Sequence, residues 1–107
     1  MTIHIEALTF EVIIGLLDFE RDKPQRIIVD IEASYRFEND FIDYADIVAL
    51  VQTDLKTNRY ILIEDALNGL KDKITTVYPQ IKTLRIKIAK PDILPVCNVA
   101  LSNIWEF

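Results

Sequence analysis

The chain has 107 residues, of which 50% are hydrophobic, enough to bury the core of one compact domain. Its formal net charge of −5 argues against a nucleic-acid partner, since such partners require a basic surface. With one cysteine, no apolar run of membrane-spanning length and no signal-like N-terminus, the sequence predicts a cytoplasmic protein without an internal disulfide.

The sequence predicts a strand or strand pair over residues 2–14. Apolar and polar residues first alternate there, and a largely apolar run follows. Gly15 interrupts this pattern. Residues 15–25 contain several charges and a proline, which is typical of a connection between strands. The connection has more apolar residues than a free surface loop needs, so we expect it to pack against the rest of the domain.

A second strand is predicted over residues 26–37. From Val29 to Phe37, apolar and polar residues alternate, which is the period of a strand with one buried face. This is the clearest strand pattern in the chain.

A turn at residues 39–46 leads into the first predicted helix. Asp43 is the predicted N-cap, and Asp46 takes the place of the glutamate of a capping box. The helix is expected to end at Asn58 or Arg59. Its apolar residues recur at the spacing of one helix face, at Ile47, Leu50, Val51 and Leu55.

The second predicted helix covers residues 63–77 and is stopped by Pro79. Glu64 lies in its first turn. One interpretation is that Glu64 only stabilises the helix, because a carboxylate interacts favourably with the positive end of the helix dipole. The other interpretation is that its side chain points into a pocket and binds a flat, nitrogen-rich ligand edge. The helix pattern by itself leaves both interpretations open.

Residues 82–90 alternate and predict a third strand, and residues 96–105 predict a fourth after a loop bracketed by Pro91 and Pro95. The order β-β-α-α-β-β predicts an α+β fold, a four-stranded antiparallel sheet with two helices on one face. Both edges of that sheet are open. Because open edges are usually covered or paired, we expect subunits to join their sheets into a barrel within a ring-shaped oligomer.

The residue types present disfavour metal-dependent chemistry. A catalytic zinc commonly has about three protein ligands, often His or Cys, and this chain offers only His4 and Cys97. The sequence therefore predicts no metal and no cofactor. What remains is a set of polar residues at the ends of predicted elements, each with an ordinary structural explanation when taken alone: Glu20, Gln25, Tyr44, Glu64 and Lys90.

Taken together, these residues and their neighbours resemble one family, dihydroneopterin aldolase, over nearly the whole chain. The sequence departs from the family's pattern at Phe41-Ile42, after Glu64 and in the closing strand. The resemblance implies a single domain over residues 1–107 with the tunnelling fold, assembled as a homotetramer or homo-octamer with each active site between two subunits. The motifs that carry it are Ile14-Gly15 with Glu20-Arg21 and Gln25, Asp43-Tyr44-Ala45, Leu62-Ile63-Glu64 and Lys90-Pro91.

The resemblance implies a metal-independent retro-aldol cleavage in folate biosynthesis. In this reaction 7,8-dihydroneopterin is split into 6-hydroxymethyl-7,8-dihydropterin and glycolaldehyde. The C=N bond of the dihydropterin ring takes up the electron pair, a role that a Schiff base or zinc has in most aldolases. The implied enzyme is a carbon–carbon lyase that needs no cofactor.

The resemblance also implies which residues bind the substrate. Glu64 is the implied pterin ligand, because a carboxylate accepts two parallel N–H bonds from the amino-pyrimidine edge. Backbone groups near Ile63 and Ile42 add bonds in the plane of the ring. Gln25 supports the corner of the site near the substrate hydroxyls.

Three residues are implied to be catalytic. Lys90 is the implied base, acting through water, since a partly buried lysine gives up its proton more readily than an exposed one. Tyr44 relays the proton back, together with water. Glu20 lies near Lys90 and the substrate hydroxyls.

Two alternative functions remain open. A dihydroneopterin triphosphate 2'-epimerase shares the fold and the lysine, and it would need a triphosphate site, for which Arg21, Lys23 and Arg26 are a candidate basic cluster. A non-catalytic pterin-binding protein would keep Glu64 but would not need Lys90.

Overall fold

The structure, a computed structural model, describes all residues from 1 to 107. The predicted order β-β-α-α-β-β is confirmed, with one addition: the connection between the first two strands contains a short helix. The elements in chain order are β1 (Thr2–Val12), α1 (Asp18–Asp22), β2 (Gln25–Tyr35), α2 (Tyr44–Asn58), α3 (Ile63–Val77), β3 (Ile81–Lys90) and β4 (Val99–Glu106).

The four strands form one antiparallel sheet in the order β1-β2-β3-β4. In its middle, Ile31 of β2 lies opposite Ile5 of β1 and Ile86 of β3, so apolar residues of neighbouring strands share a face. The helices α2 and α3 pack on this face and enclose the hydrophobic core. The predicted α+β architecture, with both long helices on one side of the sheet, is therefore confirmed.

Three strand ends differ from the predicted ones by two residues or more. β1 ends at Val12 instead of residue 14. β2 ends at Tyr35 instead of Phe37, whose side chain is half exposed. β4 begins at Val99 instead of residue 96. The intervening segment, residues 91–98, forms turns, because its two prolines lack the N–H groups that a strand ladder needs.

Both long helices form where they were predicted. Asp43 caps α2 by accepting a hydrogen bond from the backbone N–H of Ala45 at 2.9 Å, and Arg59 ends it with a left-handed φ of 44°. The reciprocal side-chain bond predicted for Asp46 does not form, since aspartate is one methylene shorter than the glutamate of a capping box. No helix combines the length and the apolar composition needed to cross a bilayer.

The antiparallel elements give the domain two distinct ends. Because α2 and α3 contain 15 residues each, these ends lie about 22 Å apart along the helices. The first, called the Lys90 end, contains the element termini Gln25, Asn58, Ile63 and Lys90. The second, called the Tyr44 end, contains the element termini Tyr35, Tyr44, Val77 and Ile81.

The strands β1 and β4 form the edges of the sheet, and each pairs along only one side. The edge strand β4 also exposes two large apolar side chains, Leu101 at 38% and Ile104 at 61%. An unpaired strand with apolar side chains is a surface that another chain can extend by strand pairing. The barrel of sheets within a ring oligomer stays a prediction.

Candidate active site

A buried ion pair lies at the Lys90 end of the domain. The Lys90 Nζ is 2.7 Å from the Glu20 Oε2, and the two residues are only 8% and 4% exposed. Lys90 is the last residue of β3, on the face that packs against the helices. Glu20 belongs to α1, the short helix that the sequence did not predict. This helix places the carboxylate at the end of the sheet.

Two further donors hold the Glu20 carboxylate in place. The Gln25 side chain donates from Nε2 to Glu20 Oε2 at 2.8 Å and to the Ile14 carbonyl at 2.7 Å. The backbone N–H of Leu17 donates to Oε1 at 3.2 Å. Burial raises the pKa of Glu20, but the bonds from Lys90, Gln25 and Leu17 and the charge of Lys90 outweigh it and lower the pKa below 4.5. Glu20 is therefore an anion at neutral pH.

Gly15 makes room for this carboxylate. Its φ of 132° is unfavourable for residues with a side chain, and a Cβ at this position would overlap the carboxyl group of Glu20. Its backbone N–H donates to the Tyr60 carbonyl at 3.0 Å, which ties the connection to the loop before α3. The sequence already indicated that this position is special, because Gly15 is one of only 2 glycines in the chain.

The guanidinium of Arg21 joins the same two segments. Its Nη1 donates to the carbonyls of Gly15 and Tyr60, both at 3.2 Å, and its Nη2 donates to the carbonyl of Arg59 at 2.9 Å. Arg21 therefore holds α1, and with it Glu20, against the loop that leads to Glu64. From the sequence, Arg21 was part of a family motif and of a candidate basic cluster, and neither predicted these backbone contacts.

Replacing Arg21 by glutamine is expected to lower the free energy of unfolding by about 1–2 kcal/mol, because three hydrogen bonds to carbonyls are lost. Arg36→Gln is the matched control, since the Arg36 side chain is 82% exposed and contacts Glu38 only at 3.9 Å. That change should stay within about 0.5 kcal/mol. Urea denaturation of both variants measures the difference. Equal stabilities would show that Arg21 does not clamp the loop.

A hydrogen-bond network centred on a buried aspartate supports that loop. Asp54 of α2 is 1% exposed and accepts bonds from the Tyr60 hydroxyl and the Asn58 amide, both at 2.8 Å, with Lys73 Nζ at 3.0 Å. Burial, followed by the hydrogen bond and the charge of Asp54, raises the pKa of Tyr60 to about 12. The sequence contained a signal for this network that was missed. Asp54 stands directly before Leu55, on the apolar side of the predicted helix.

Glu64 lies in the first turn of α3 with an exposed side chain that makes no hydrogen bond or ion pair within the chain. It borders an open pocket of about 250 Å³, with Leu67 and Asn68 on its own helix and Leu101, Ser102 and Asn103 on β4. Ile63 beside it is partly buried. The carboxylate is therefore free to accept hydrogen bonds from a ligand.

Glu20 of the ion pair lines a second cavity at the same end of the domain. This space of about 210 Å³ is lined by the site residues Glu20 and Gln25, and further by Phe19, Lys23, Pro24, Asp92 and Ile93. It shares no lining residue with the pocket beside Glu64. The structure has no group of three or more His, Cys, Asp or Glu side chains that could hold a metal ion.

Tyr44 and Ile42 lie elsewhere, at the Tyr44 end. Tyr44 is 67% exposed, whereas Ile42 is 4% exposed and packs in the core. Burial raises the pKa of Tyr78, which caps the end of α3, and the charges of Asp46 and Asp43 at the start of α2 raise it further. One protomer therefore brings together Glu20, Gln25 and Lys90, with Ile63 and Glu64 at the same end, but not Ile42 and Tyr44.

A family model described as FolB, dihydroneopterin aldolase, matches residues 3–102. No significant match was found among curated proteins.

Three solved structures are similar over nearly their full length. A Vibrio cholerae O1 protein assigned as a dihydroneopterin aldolase (FolB) has 23% identity and a TM-score of 0.90, covering 100% of this chain and 98% of its own. The Escherichia coli dihydroneopterin aldolase in complex with neopterin has 24% identity and a TM-score of 0.86, covering 98% of each chain. A Burkholderia dihydroneopterin aldolase bound to guanine has 14% identity and a TM-score of 0.81, covering 100% and 91%. At these identities the likeness shows the fold alone.

Proposed function

This chain belongs to the dihydroneopterin aldolase family, and from that premise we propose that it cleaves 7,8-dihydroneopterin by a retro-aldol reaction. The products are 6-hydroxymethyl-7,8-dihydropterin and glycolaldehyde. The proposed reaction uses no metal and no cofactor and belongs to folate biosynthesis in the cytoplasm.

The buried pair of Glu20 and Lys90 beside an open cavity is the observation that carries this proposal. Burying two charges costs desolvation energy, and apolar residues of similar size often stabilise a fold equally well. Here Gln25 holds Glu20, and Glu20 lines a cavity large enough for a small side chain. Charged groups kept in such a cleft are candidates for proton transfer.

Lys90 is the proposed base. Through a water molecule, the amine takes the proton from the hydroxyl on the second side-chain carbon. The bond between the first and second carbons then breaks, its electron pair moves into the C=N bond of the ring, and glycolaldehyde leaves. A proton returned to the first carbon completes the reaction.

Glu64 is proposed to hold the pterin. Its free carboxylate can accept two parallel N–H bonds from the amino-pyrimidine edge, and the backbone at Ile63 lies beside it. Two relatives support a ligand of this kind, since one was solved with neopterin and the other with guanine. Both ligands carry an amino group on a pyrimidine ring.

The remaining residues are proposed to come from a neighbouring subunit. Tyr44, the proposed proton relay, and the backbone near Ile42 lie about 22 Å from the Lys90 end along the helices of one protomer. If the open edges of β1 and β4 pair between subunits, the Tyr44 end of one protomer can meet the Lys90 end of the next. The site is then complete only in the ring oligomer.

The assembly is therefore expected to contain at least four chains. Open sheet edges and a site split between two ends both require neighbours, and closed rings are a common solution. Sedimentation velocity together with activity measured on the same sample checks this expectation. A stable monomer that is fully active would contradict both the ring and the shared site.

Activity is expected to survive removal of metal ions. The ring itself takes up the electron pair, so no Lewis acid is needed in the proposed reaction. After exhaustive treatment with EDTA and desalting, the rate should agree with that of the untreated enzyme. A large loss that a divalent metal restores would overturn the role assigned to the ring.

Side-by-side incubation tests the proposed activity. The protein should release glycolaldehyde from dihydroneopterin in equal amounts to the dihydropterin product, as chromatography and an aldehyde assay would show. Conversion of dihydroneopterin triphosphate to its 2'-epimer without aldehyde would identify the epimerase instead. Pterin binding without any product would identify a non-catalytic binding protein.

A further inference from the structure

An exposed ion pair lies at the mouth of the cavity that Glu20 lines. Arg26, near the start of β2, donates from Nε and Nη2 to the two carboxylate oxygens of Asp92, each at 3.2 Å. The two side chains are 51% and 65% exposed. Asp92 comes two residues after Lys90 and also lines the cavity.

The three basic residues of this region do not form a common anion site. Arg21 is turned toward the carbonyls of Gly15, Arg59 and Tyr60, and Arg26 is turned toward Asp92. Only Lys23 lines the cavity without an ion pair in the chain. The basic cluster considered from the sequence is thus dispersed.

The two carboxylates that line the cavity instead hold the nearby cations in ion pairs. Glu20 is buried and anionic at its floor, where it already neutralises Lys90. Asp92 adds a second negative charge at the mouth and occupies the guanidinium of Arg26. An uncharged polyol side chain can enter such a space. A chain of phosphates finds only one unpaired cation, Lys23, because Glu20 and Asp92 already hold the charges of Lys90 and Arg26.

We propose that Asp92 is a specificity-determining residue that excludes phosphorylated substrates from this site. It acts through its own charge and by withholding Arg26 from phosphate oxygens, which a guanidinium would bind in a bidentate manner. This inference rests on the proposed function, because it concerns which side chain of a pterin the cavity accepts.

Replacing Asp92 by asparagine tests the proposal through binding. The probes are the fully oxidised pterins, which the proposed reaction does not cleave. The dissociation constant of neopterin triphosphate, divided by that of neopterin, should fall about tenfold in the variant at low salt. The effect should shrink as salt is raised toward physiological strength, where charges more than about 8 Å apart are screened. Asp92→Ser should show the same change, which guards against an artefact of one variant.

Two further variants serve as controls. Asp72→Asn removes the same charge from another exposed ion pair, that with Lys71 on α3, and should leave the ratio unchanged. Adding Arg26→Gln to Asp92→Asn should cancel much of the gain, because the released guanidinium is then absent.

Calorimetric titration decides the outcome without requiring turnover. A ratio that stays constant in both Asp92 variants, or one that Asp72→Asn changes equally, overturns the proposal. Failure of wild-type protein to release glycolaldehyde contradicts the proposed function only, since the binding ratio is still measured. If the protein binds no pterin, inorganic tripolyphosphate is the probe, and equal affinity in wild type and Asp92→Asn overturns the proposal.

Discussion

Replacing Lys90 by alanine is expected to lower kcat by about 100-fold or more, the usual size of a general acid–base contribution. The variant lacks the proposed base, while the proposed pterin ligand Glu64 and its pocket are unchanged. Product affinity should therefore change much less than the rate. Single-turnover kinetics measure the chemical step directly, and calorimetry of the product measures binding.

Lys82→Ala is the matched control for this variant. Lys82 lies near the other end of β3 and its side chain is exposed, so its removal should leave the rate within about twofold. If Lys90→Ala cleaves the substrate at nearly the wild-type rate, then Lys90 is only a cation at the end of a strand. The aldolase proposal would then lose its chemical basis.

Removal of the Glu64 carboxylate is expected to weaken binding of the pterin product about tenfold or more. Charge-assisted hydrogen bonds contribute roughly 1.5–3 kcal/mol, and about 1.4 kcal/mol corresponds to a tenfold change in affinity. The group is free in the structure, so its loss leaves N–H donors of the ligand unpaired without breaking a contact within the chain. Isothermal titration of Glu64→Ala with the product measures this.

Asp65→Ala separates the two interpretations of Glu64. Both acids lie in the first turn of α3 and both interact favourably with the helix dipole. Each variant should therefore lose a similar small amount of stability, but only Glu64→Ala should lose pterin affinity. Equal affinities in the two variants would show that Glu64 does nothing beyond stabilising the helix start.

Most of the fold could be predicted because its signals are local. The alternation from Val29 onward and the apolar faces of the two helices each span about ten residues or more, and the structure reproduces them. The helix α1 was missed because its five residues are too few to show a period. The late start of β4 follows from the two prolines before it, whose effect on one strand end depends on the turn they form.

The site was predicted less completely, since its contacts are not local. Glu20 and Lys90 are separated by 70 positions in the chain, and no periodicity relates them. Only the family resemblance placed them together. The structure adds two contacts that the family motifs did not predict. Arg21 binds backbone carbonyls, and Arg26 binds Asp92.

Mixed oligomers can test whether Lys90 and Tyr44 act together from different subunits, since the two residues lie at opposite ends of one chain. Lys90→Ala and Tyr44→Phe should each be nearly inactive. Co-expressed with two different tags and purified through both, they are expected to form the proposed rings, in which Lys90 of one subunit can meet Tyr44 of the next. Random mixing restores about one quarter of the sites.

Glycolaldehyde release from dihydroneopterin by these mixed rings tests the shared aldolase site most directly. Recovery of about one quarter of the wild-type rate is the expected result, because one site in four then has both residues intact. A rate that stays at the average of the two single variants would contradict a site formed between subunits.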